Sequence, residues 1–148
     1  MPKLTRTELN ALLAGPVIAR LATVTREGTP YIAPVWQTWD GEVMHIIPRG
    51  RAHFVEHIRE NPLVAISCAD DVDPEHARVL NQGRAEITDG PAIMAGETLG
   101  IAREMAERYG GADGVEYLEA TLDKPRYRIS IAPITLTSWR GAWHPRYG

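Results

Sequence analysis

Three side chains that carry, or can carry, a positive charge cluster in the stretch HIIPRGRAHFVEHIRENP, residues 45–62. Arg49 and Arg51 flank Gly50, and His53 follows two positions later. An arginine presents a planar fork of N–H donors that matches the oxygens of a phosphate, and a glycine lets the backbone approach a ligand closely. The spacing therefore suits an anionic ligand. The alternative is that both arginines are solvated turn residues.

Motifs for several other chemistries are missing from the sequence. It contains no HExxH motif and no Cys-His cluster, so we predict no metal site. It also lacks the GxSxG elbow, the GxGxxG fingerprint and the lysine of a P-loop. Hydrolase, Rossmann and NTPase readings lack the residues they require, and no catalytic residue is assigned.

Length and composition predict one globular domain spanning residues 1–148, with 44% apolar and 24% charged residues. The formal net charge of -3 argues against a broad nucleic-acid or membrane surface. No apolar run approaches the roughly 18 residues of a membrane span. The single cysteine, Cys68, excludes an intramolecular disulfide and is expected to be a buried, inert thiol. These features predict a cytoplasmic protein.

The first half of the chain predicts a helix followed by a meander. Leu9, Leu12 and Leu13 have helical spacing after a Thr5 or Thr7 N-cap. Strands are predicted for VIARLATVT, YIAPVWQTW and EVMHIIP, with the last two joined at Asp40-Gly41. A short helix over 52–60 follows, and its N-terminal N–H groups would attract an anion beside the two arginines.

The second half predicts three more strands and the longest helix. LVAISCA reads as a strand buried on both sides, RVLNQGRAEIT as an alternating strand, and RYRISIAPITLTSW as the final strand. The long helix is predicted over 91–109, with further helix in GVEYLEATL. This order predicts a mainly β, α+β fold: a six-stranded antiparallel barrel with helices outside it.

Residues 19–68, ARLATVTREGTPYIAPVWQTWDGEVMHIIPRGRAHFVEHIRENPLVAISC, resemble the opening half of the pyridoxamine 5'-phosphate oxidase-like family of flavin-binding split β-barrels. The order of LATV, GxPxxxPVW, a DG hairpin, a basic helix start and NPxV is the same. GRAEI and the closing SWRG agree more loosely. The resemblance covers residues 4 to about 90 well and 126–141 moderately.

The resemblance implies a homodimer that binds flavin mononucleotide (FMN), or in one branch the deazaflavin coenzyme F-420, at the subunit interface. It places the phosphate near the arginines and the ring against the strand that contains Trp36. Asn81, Gln82 and the C-terminal stretch would reach the partner subunit's cofactor. The implied cofactor-binding residues are Pro34, Val35, Trp36, Gln37, Ile47, Pro48, Arg49, Gly50, Arg51, His53, Phe54, Asn81, Gln82, Trp139 and Arg140.

Alternatives remain open for the aromatic residues. Trp36 could wall a ring or simply fill the core or dimer interface, whereas core packing is the preferred reading for Trp39. The tail from Trp143 to Tyr147 could cover a cofactor or pack on the surface.

Two functions are compatible with these residues. The first is an oxidoreductase in which FMN or F-420 transfers a hydride to or from a small organic substrate, because such a cofactor carries the chemistry that the chain lacks. The second is a non-catalytic module that binds or stores a flavin or a haem-like ligand on the same fold.

Overall fold

The computed structural model describes residues 2–141. Most of these residues belong to seven strands and three helices, in an α+β arrangement. The elements are α1 (Arg6–Ala14), β1 (Ala19–Val24), β2 (Pro30–Val35), β3 (Thr38–Trp39), β4 (Met44–Ile46), α2 (Phe54–Glu60), β5 (Leu63–Ala69), β6 (Arg78–Ala92), α3 (Gly96–Ala120) and β7 (Arg126–Trp139).

The strands form one antiparallel sheet in the order β2-β1-β5-β6-β7-β4-β3. Its two edge strands, β2 and β3, are consecutive in the chain and are joined only by Trp36 and Gln37. Three residue steps reach at most about 11 Å, so the two edges of the sheet must come close together. The sheet therefore curls into a barrel that stays split at this joint, without a hydrogen-bonded ladder between its edges.

Local sequence signals explain the first helix and the tight turn that follows. Thr5 caps α1 through a reciprocal capping box, in which its hydroxyl accepts from the N–H of Glu8 and its own N–H donates to the Glu8 carboxylate. At the turn between β3 and β4, Gly41 has a φ of 100°, and the Asp40 carboxylate accepts two backbone N–H groups at 2.8 Å. Both predicted signals are confirmed.

The predicted strand over residues 31–39 is wrong in its continuity. It breaks at Gln37, whose side chain is completely buried, and the break produces β2 and β3. Seven strands therefore replace the predicted six. The strand β5 is also buried on one face rather than two, because its residues alternate from Leu63, which is half-exposed, to buried Val64.

The long helix begins five residues later than predicted, because β6 continues to Ala92 and includes Pro91. Inside α3, Gly111 has a φ of 55° and a ψ of -139°, so the helix axis changes direction there. Arg103 and Glu119 form a 3.5 Å ion pair. Sixteen residues of continuous helix would separate them by about 24 Å. Residues 112–120, named the cap segment here, thus fold back on residues 96–110.

The main core lies inside the curled sheet and beneath α1 and α2. Its fully buried side chains include Leu13, Leu21, Ile66 and Ile129. Cys68 belongs to this core, where burial raises the pKa of its thiol to about 12, so the prediction of a buried thiol is confirmed. Within residues 2–141, no helix has the length and hydropathy needed to cross a membrane.

Candidate functional site

A cavity of about 640 Å³ opens where the end of β2, the segment after β4, helix α3 and the start of β7 meet. This volume lies within the range of roughly 300–1,000 Å³ that is common for small-molecule sites. Nine of the fifteen residues predicted for cofactor binding line it. They are Pro34, Val35, Trp36, Ile47, Pro48, Arg49, Arg51, His53 and Phe54.

Two arginines predicted from the sequence, Arg49 and Arg51, share this cavity with a third, Arg126, from the first turn of β7. Arg49 and Arg126 are also backbone neighbours through an isolated β-bridge. Among residues 2–141, no carboxylate forms a salt bridge with any of the three. This arginine cluster (Arg49, Arg51 and Arg126) therefore concentrates positive charge at one end of the cavity.

Arg126 is the most buried member of the arginine cluster, with 9% of its surface exposed. Its Nη2 donates to the Thr121 hydroxyl at 2.9 Å, but its buried Nε–H has no hydrogen-bond partner within residues 2–141. Burial lowers the pKa of Arg126 from its usual value. A buried charge without a counter-charge is costly, so an anion entering the cavity would gain a preorganised partner.

Tyr117, from the cap segment, lies against two members of the arginine cluster. Its hydroxyl accepts a 3.2 Å hydrogen bond from Arg49, and the Arg126 guanidinium lies 6.0 Å from the centre of its ring. The hydrogen bond from Arg49 lowers the pKa of the Tyr117 hydroxyl. The phenol is thus a further polar group at the cationic end of the cavity.

The remaining walls of the cavity are mostly apolar. They include Ile18, Ala33, Ile46, Ala102 and Met105, and the ring of Trp36. Trp36 stacks on Tyr109 with parallel rings whose centres are 5.4 Å apart, so helix α3 fixes the orientation of this wall. One charged end and apolar flanks form a site for an amphipathic anion with a flat or aliphatic body.

Gln37 does not contribute its side chain to the cavity, which corrects its predicted role. Its Nε2 donates to the Leu13 carbonyl at 2.9 Å, and the residue is completely buried. Its backbone N–H donates to the Tyr109 hydroxyl, and its carbonyl accepts from Arg108. Gln37 thus anchors the joint between β2 and β3 to α1 and α3.

Gly50 is also absent from the cavity wall. Its N–H donates to the Pro125 carbonyl at 2.9 Å, and a Cβ at this position would lie 3.2 Å from that oxygen. The glycine is therefore needed for close approach of the chain to the residue before Arg126, rather than to a ligand. Its indirect effect is to hold the segment of Arg49 beside the start of β7.

The start of α2 contributes less than predicted to anion binding. The helix has seven residues, and its N-cap, His53, makes no side-chain capping bond. The N–H groups of Val55 and Glu56 already donate to the carbonyls of Ala52 and His53. The side chains, rather than a free helix end, supply the positive potential of the site.

Asn81 and Gln82, neighbours on β6, point to opposite faces of the sheet. Asn81 is completely buried, and its Nδ2 lies 3.5 Å from the Ile131 carbonyl. Its predicted reach to a second subunit is wrong for this reason. Gln82 is exposed on the outer face, where a contact with a partner subunit stays a prediction.

Trp139 and Arg140 lie away from the cavity. Arg78 stacks on the Trp139 ring at 5.2 Å, and Arg140 forms ion pairs with Glu8 and Glu75. Arg140 is thus already paired with carboxylates within its own chain. The tail from Trp143 to Tyr147 lies outside the described residues.

Arg126 and Tyr117 were missed by the sequence analysis for different reasons. Arg126 begins an alternating strand and reads as an ordinary exposed end residue, although its place directly after Pro125 was a weak signal for a fixed chain direction. Tyr117 lies beyond Gly110-Gly111, and only the reversal at Gly111 returns it to the cavity. Neither placement follows from local spacing.

Comparison with known proteins agrees with this geometry. The family model described as pyridoxamine 5'-phosphate oxidase matches residues 5–140. The chain belongs to the pyridoxamine 5'-phosphate oxidase family. No curated protein matches the chain.

Solved structures of family-like fold superpose on most of the chain. A conserved hypothetical protein from Mycobacterium tuberculosis is 22% identical, with a TM-score of 0.73, over 93% of this chain and 85% of that one. An F420 reductase is 26% identical, with a TM-score of 0.62, over 86% and 94%. The haem storage protein HutZ from Vibrio cholerae is 16% identical, with a TM-score of 0.69, over 91% and 95%. These similarities establish the split-barrel fold type of the family.

Proposed function

We propose that this chain binds FMN, or alternatively coenzyme F-420, in the 640 Å³ cavity and acts as an oxidoreductase on a small organic substrate. The observation that carries the proposal is the arginine cluster, which lacks carboxylate partners within residues 2–141 and includes the buried Nε–H of Arg126 without a partner. A phosphate group would supply the missing negative charge and several acceptor oxygens.

The residues of this chain would divide the work of binding such a cofactor. Arg49, Arg51 and Arg126 would hold the phosphate, while Trp36 and the aliphatic wall would orient the ring and exclude water. When bound, the flavin or deazaflavin would supply the hydride-transfer chemistry that no side chain of the cavity provides. The family membership and the similarity to an F420 reductase support this assignment.

The chain is also proposed to form a homodimer through the outer face of its sheet. Ile32, Leu63 and Ile134 are 67%, 50% and 68% exposed. Ile32 lies across from Ala22, and Ala22 lies across from Ala65, so small and apolar residues continue across the strands. An exposed apolar surface of this kind is typical of an interface, and a second copy of the chain is the partner implied by the sequence resemblance.

The second candidate function is binding or storage of a flavin or haem-like ligand without turnover. One observation favours it: His53 lines the cavity, and an imidazole is a common axial ligand of haem iron. The fold likeness to a haem storage protein is compatible with this candidate. Substitution of His53 by alanine would abolish haem binding under this candidate and would change FMN affinity only moderately under the first.

Mass spectrometry of the small molecule that co-purifies with the protein tests the proposal. The first candidate predicts FMN or F-420, with the matching visible absorption. Haem in the preparation would favour the second candidate. A protein that carries no ligand and binds neither FMN, F-420 nor haem when each is added would contradict both.

A further inference from the structure

We propose that Tyr117, held in place by the cap segment (residues 112–120), selects ligands that end in a phosphate monoester over ligands in which the phosphate continues as a diester into a longer tail. This inference rests on the proposed function, since it concerns the same cavity. It adds a determinant of ligand length that neither the sequence pattern nor the family assignment contains.

The first step of the argument is the position of Tyr117 relative to the arginines. Arg126 is almost completely buried, whereas Tyr117 is 47% exposed and contacts both Arg126 and Arg49. The ring therefore lies on the solvent side of these two guanidinium groups. A phosphate bound by them would have the Tyr117 ring between itself and the outside.

The second step is that the cap segment is fixed by contacts at its beginning and its end. Gly114 packs directly against the Ala106 carbonyl, so closely that a side chain would not fit there. Near the other end, Glu119 pairs with Arg103 at 3.5 Å, and the Thr121 hydroxyl donates to the Tyr117 carbonyl and accepts from Arg126. The ring is thus part of the packed structure, and moving it aside would break several contacts.

The third step concerns the chemistry of the two ligand classes. A terminal phosphate monoester ends at the guanidinium groups and can use the Tyr117 hydroxyl as an additional donor. A phosphodiester must continue past the phosphorus, and the occupied volume of the phenol ring opposes that path. Steric exclusion of one ligand is an efficient source of specificity because it costs the preferred ligand nothing.

The test compares FMN with its diester analogue FAD, using riboflavin as the phosphate-free reference, in fluorescence titrations of the purified protein. The wild type is expected to bind FMN at least roughly tenfold more tightly than FAD, a difference of about 1.4 kcal/mol. In Tyr117→Ala the ratio of the FAD and FMN dissociation constants should fall to roughly one. Tyr117→Phe keeps the ring and should keep most of the wild-type ratio.

Two controls make the result specific to the ring. Glu116→Ala changes an exposed neighbour on the same segment that does not line the cavity, and its FAD to FMN ratio should equal the wild-type ratio. The far-ultraviolet circular dichroism and melting temperature of each variant report whether the cap segment remains folded. Thr121→Val, which loosens the segment without removing the ring, should lower the ratio partially.

The outcomes separate this inference from the proposed function. Wild type that binds FMN more tightly than riboflavin, but with the same FAD to FMN ratio in Tyr117→Ala, would overturn the role of Tyr117 and leave the proposed function standing. Wild-type binding of F-420, itself a phosphodiester, as tight as that of FMN would overturn it as well. Wild type that binds none of these cofactors would overturn both.

Discussion

Arg126 is the residue whose placement costs the free protein most and serves a ligand best. Its guanidinium is buried, carries an Nε–H without a partner among residues 2–141, and forms no salt bridge there. Proteins rarely retain such an arrangement for stability, because an uncompensated buried charge is destabilising. The arrangement is explained if the missing anion belongs to the bound ligand.

Replacing Arg126 by methionine should therefore separate stability from binding. We expect the melting temperature of the ligand-free protein to stay constant or rise, since a desolvated charge is removed while most of the side-chain volume is kept. FMN affinity should fall by about 1.5–3 kcal/mol, the value of a hydrogen bond to a charged group. Thermal scanning and fluorescence titration measure the two quantities.

Arg84→Met is the matched control, because Arg84 is exposed on β6 and does not line the cavity. It should leave both quantities unchanged. A large loss of stability in Arg126→Met with unchanged FMN affinity would show that Arg126 is a structural residue.

The Tyr117 hydroxyl predicts a pH dependence of anion binding. The hydrogen bond from Arg49 lowers the pKa of Tyr117, so its phenolate forms at a lower pH than in a free tyrosine. The phenolate would neutralise part of the charge of the arginine cluster and repel a phosphate. FMN affinity should thus be constant near neutral pH and decline as the pH rises toward the ordinary tyrosine pKa of about 10. A titration at several pH values measures this decline.

Tyr117→Phe cannot form the phenolate, and its affinity should stay constant over the part of the range in which the wild type declines. Equal declines in the two proteins would assign the effect to another group.

Helix α3 is the element that holds the split in the sheet in its observed shape. Arg108 is mostly buried and donates to the carbonyls of Leu13, Gly15 and Gln37, while the hydroxyl of Tyr109 bonds to the backbone next to Trp36. One helical turn thereby connects α1, the joint between β2 and β3, and the wall of the cavity. The short strand β3 has few ladder bonds of its own and depends on this support.

Substituting Arg108 by methionine should lower the free energy of unfolding by about 3 kcal/mol, because buried carbonyl groups lose their donors. Chemical denaturation measures the change. Arg103→Met on the same helix breaks an exposed ion pair and should cost less than about 1 kcal/mol. Similar losses in the two variants would mean that Arg108 does not anchor the joint.

The predictability of these elements from sequence followed the range of the interactions involved. Strand β5 and the turn at Asp40-Gly41 are specified by local composition and were predicted. The break at Gln37 was not predicted, since it depends on contacts with Leu13 and Arg108, which lie far away in the chain. For the site, the segment of Arg49 and Arg51 was recognised locally, whereas Arg126 joins it only through the pairing of distant strands.

Assembly of two chains is expected to cover the outer face of the sheet. A lysine at Ile134 would place a charge in the middle of that face, so Ile134→Lys should shift the protein from dimer to monomer in analytical ultracentrifugation. Val72→Lys provides the control, because Val72 is 92% exposed in the loop between β5 and β6. A wild-type protein that is monomeric at micromolar concentration would contradict the proposed dimer.

The complete site combines two parts of the chain that fold independently of any ligand: a cationic end built from residues 49–51 and β7, and an apolar end built from β2 and α3. The charge of the protein is negative overall, so attraction for a phosphate must come from this local arrangement. Affinity for the phosphate group is therefore the central quantity of the proposed function.

The most direct measurement compares FMN with riboflavin, and F-420 with its phosphate-free deazaflavin chromophore, in the wild type and in Arg49→Ala/Arg126→Ala. For the cofactor that the protein binds, the phosphate should improve wild-type affinity by at least roughly tenfold, and the double variant should lose this advantage while keeping its affinity for the phosphate-free ring. A phosphate advantage that is absent in the wild type, or unchanged in the double variant, would contradict the assignment of the arginine cluster as the phosphate site.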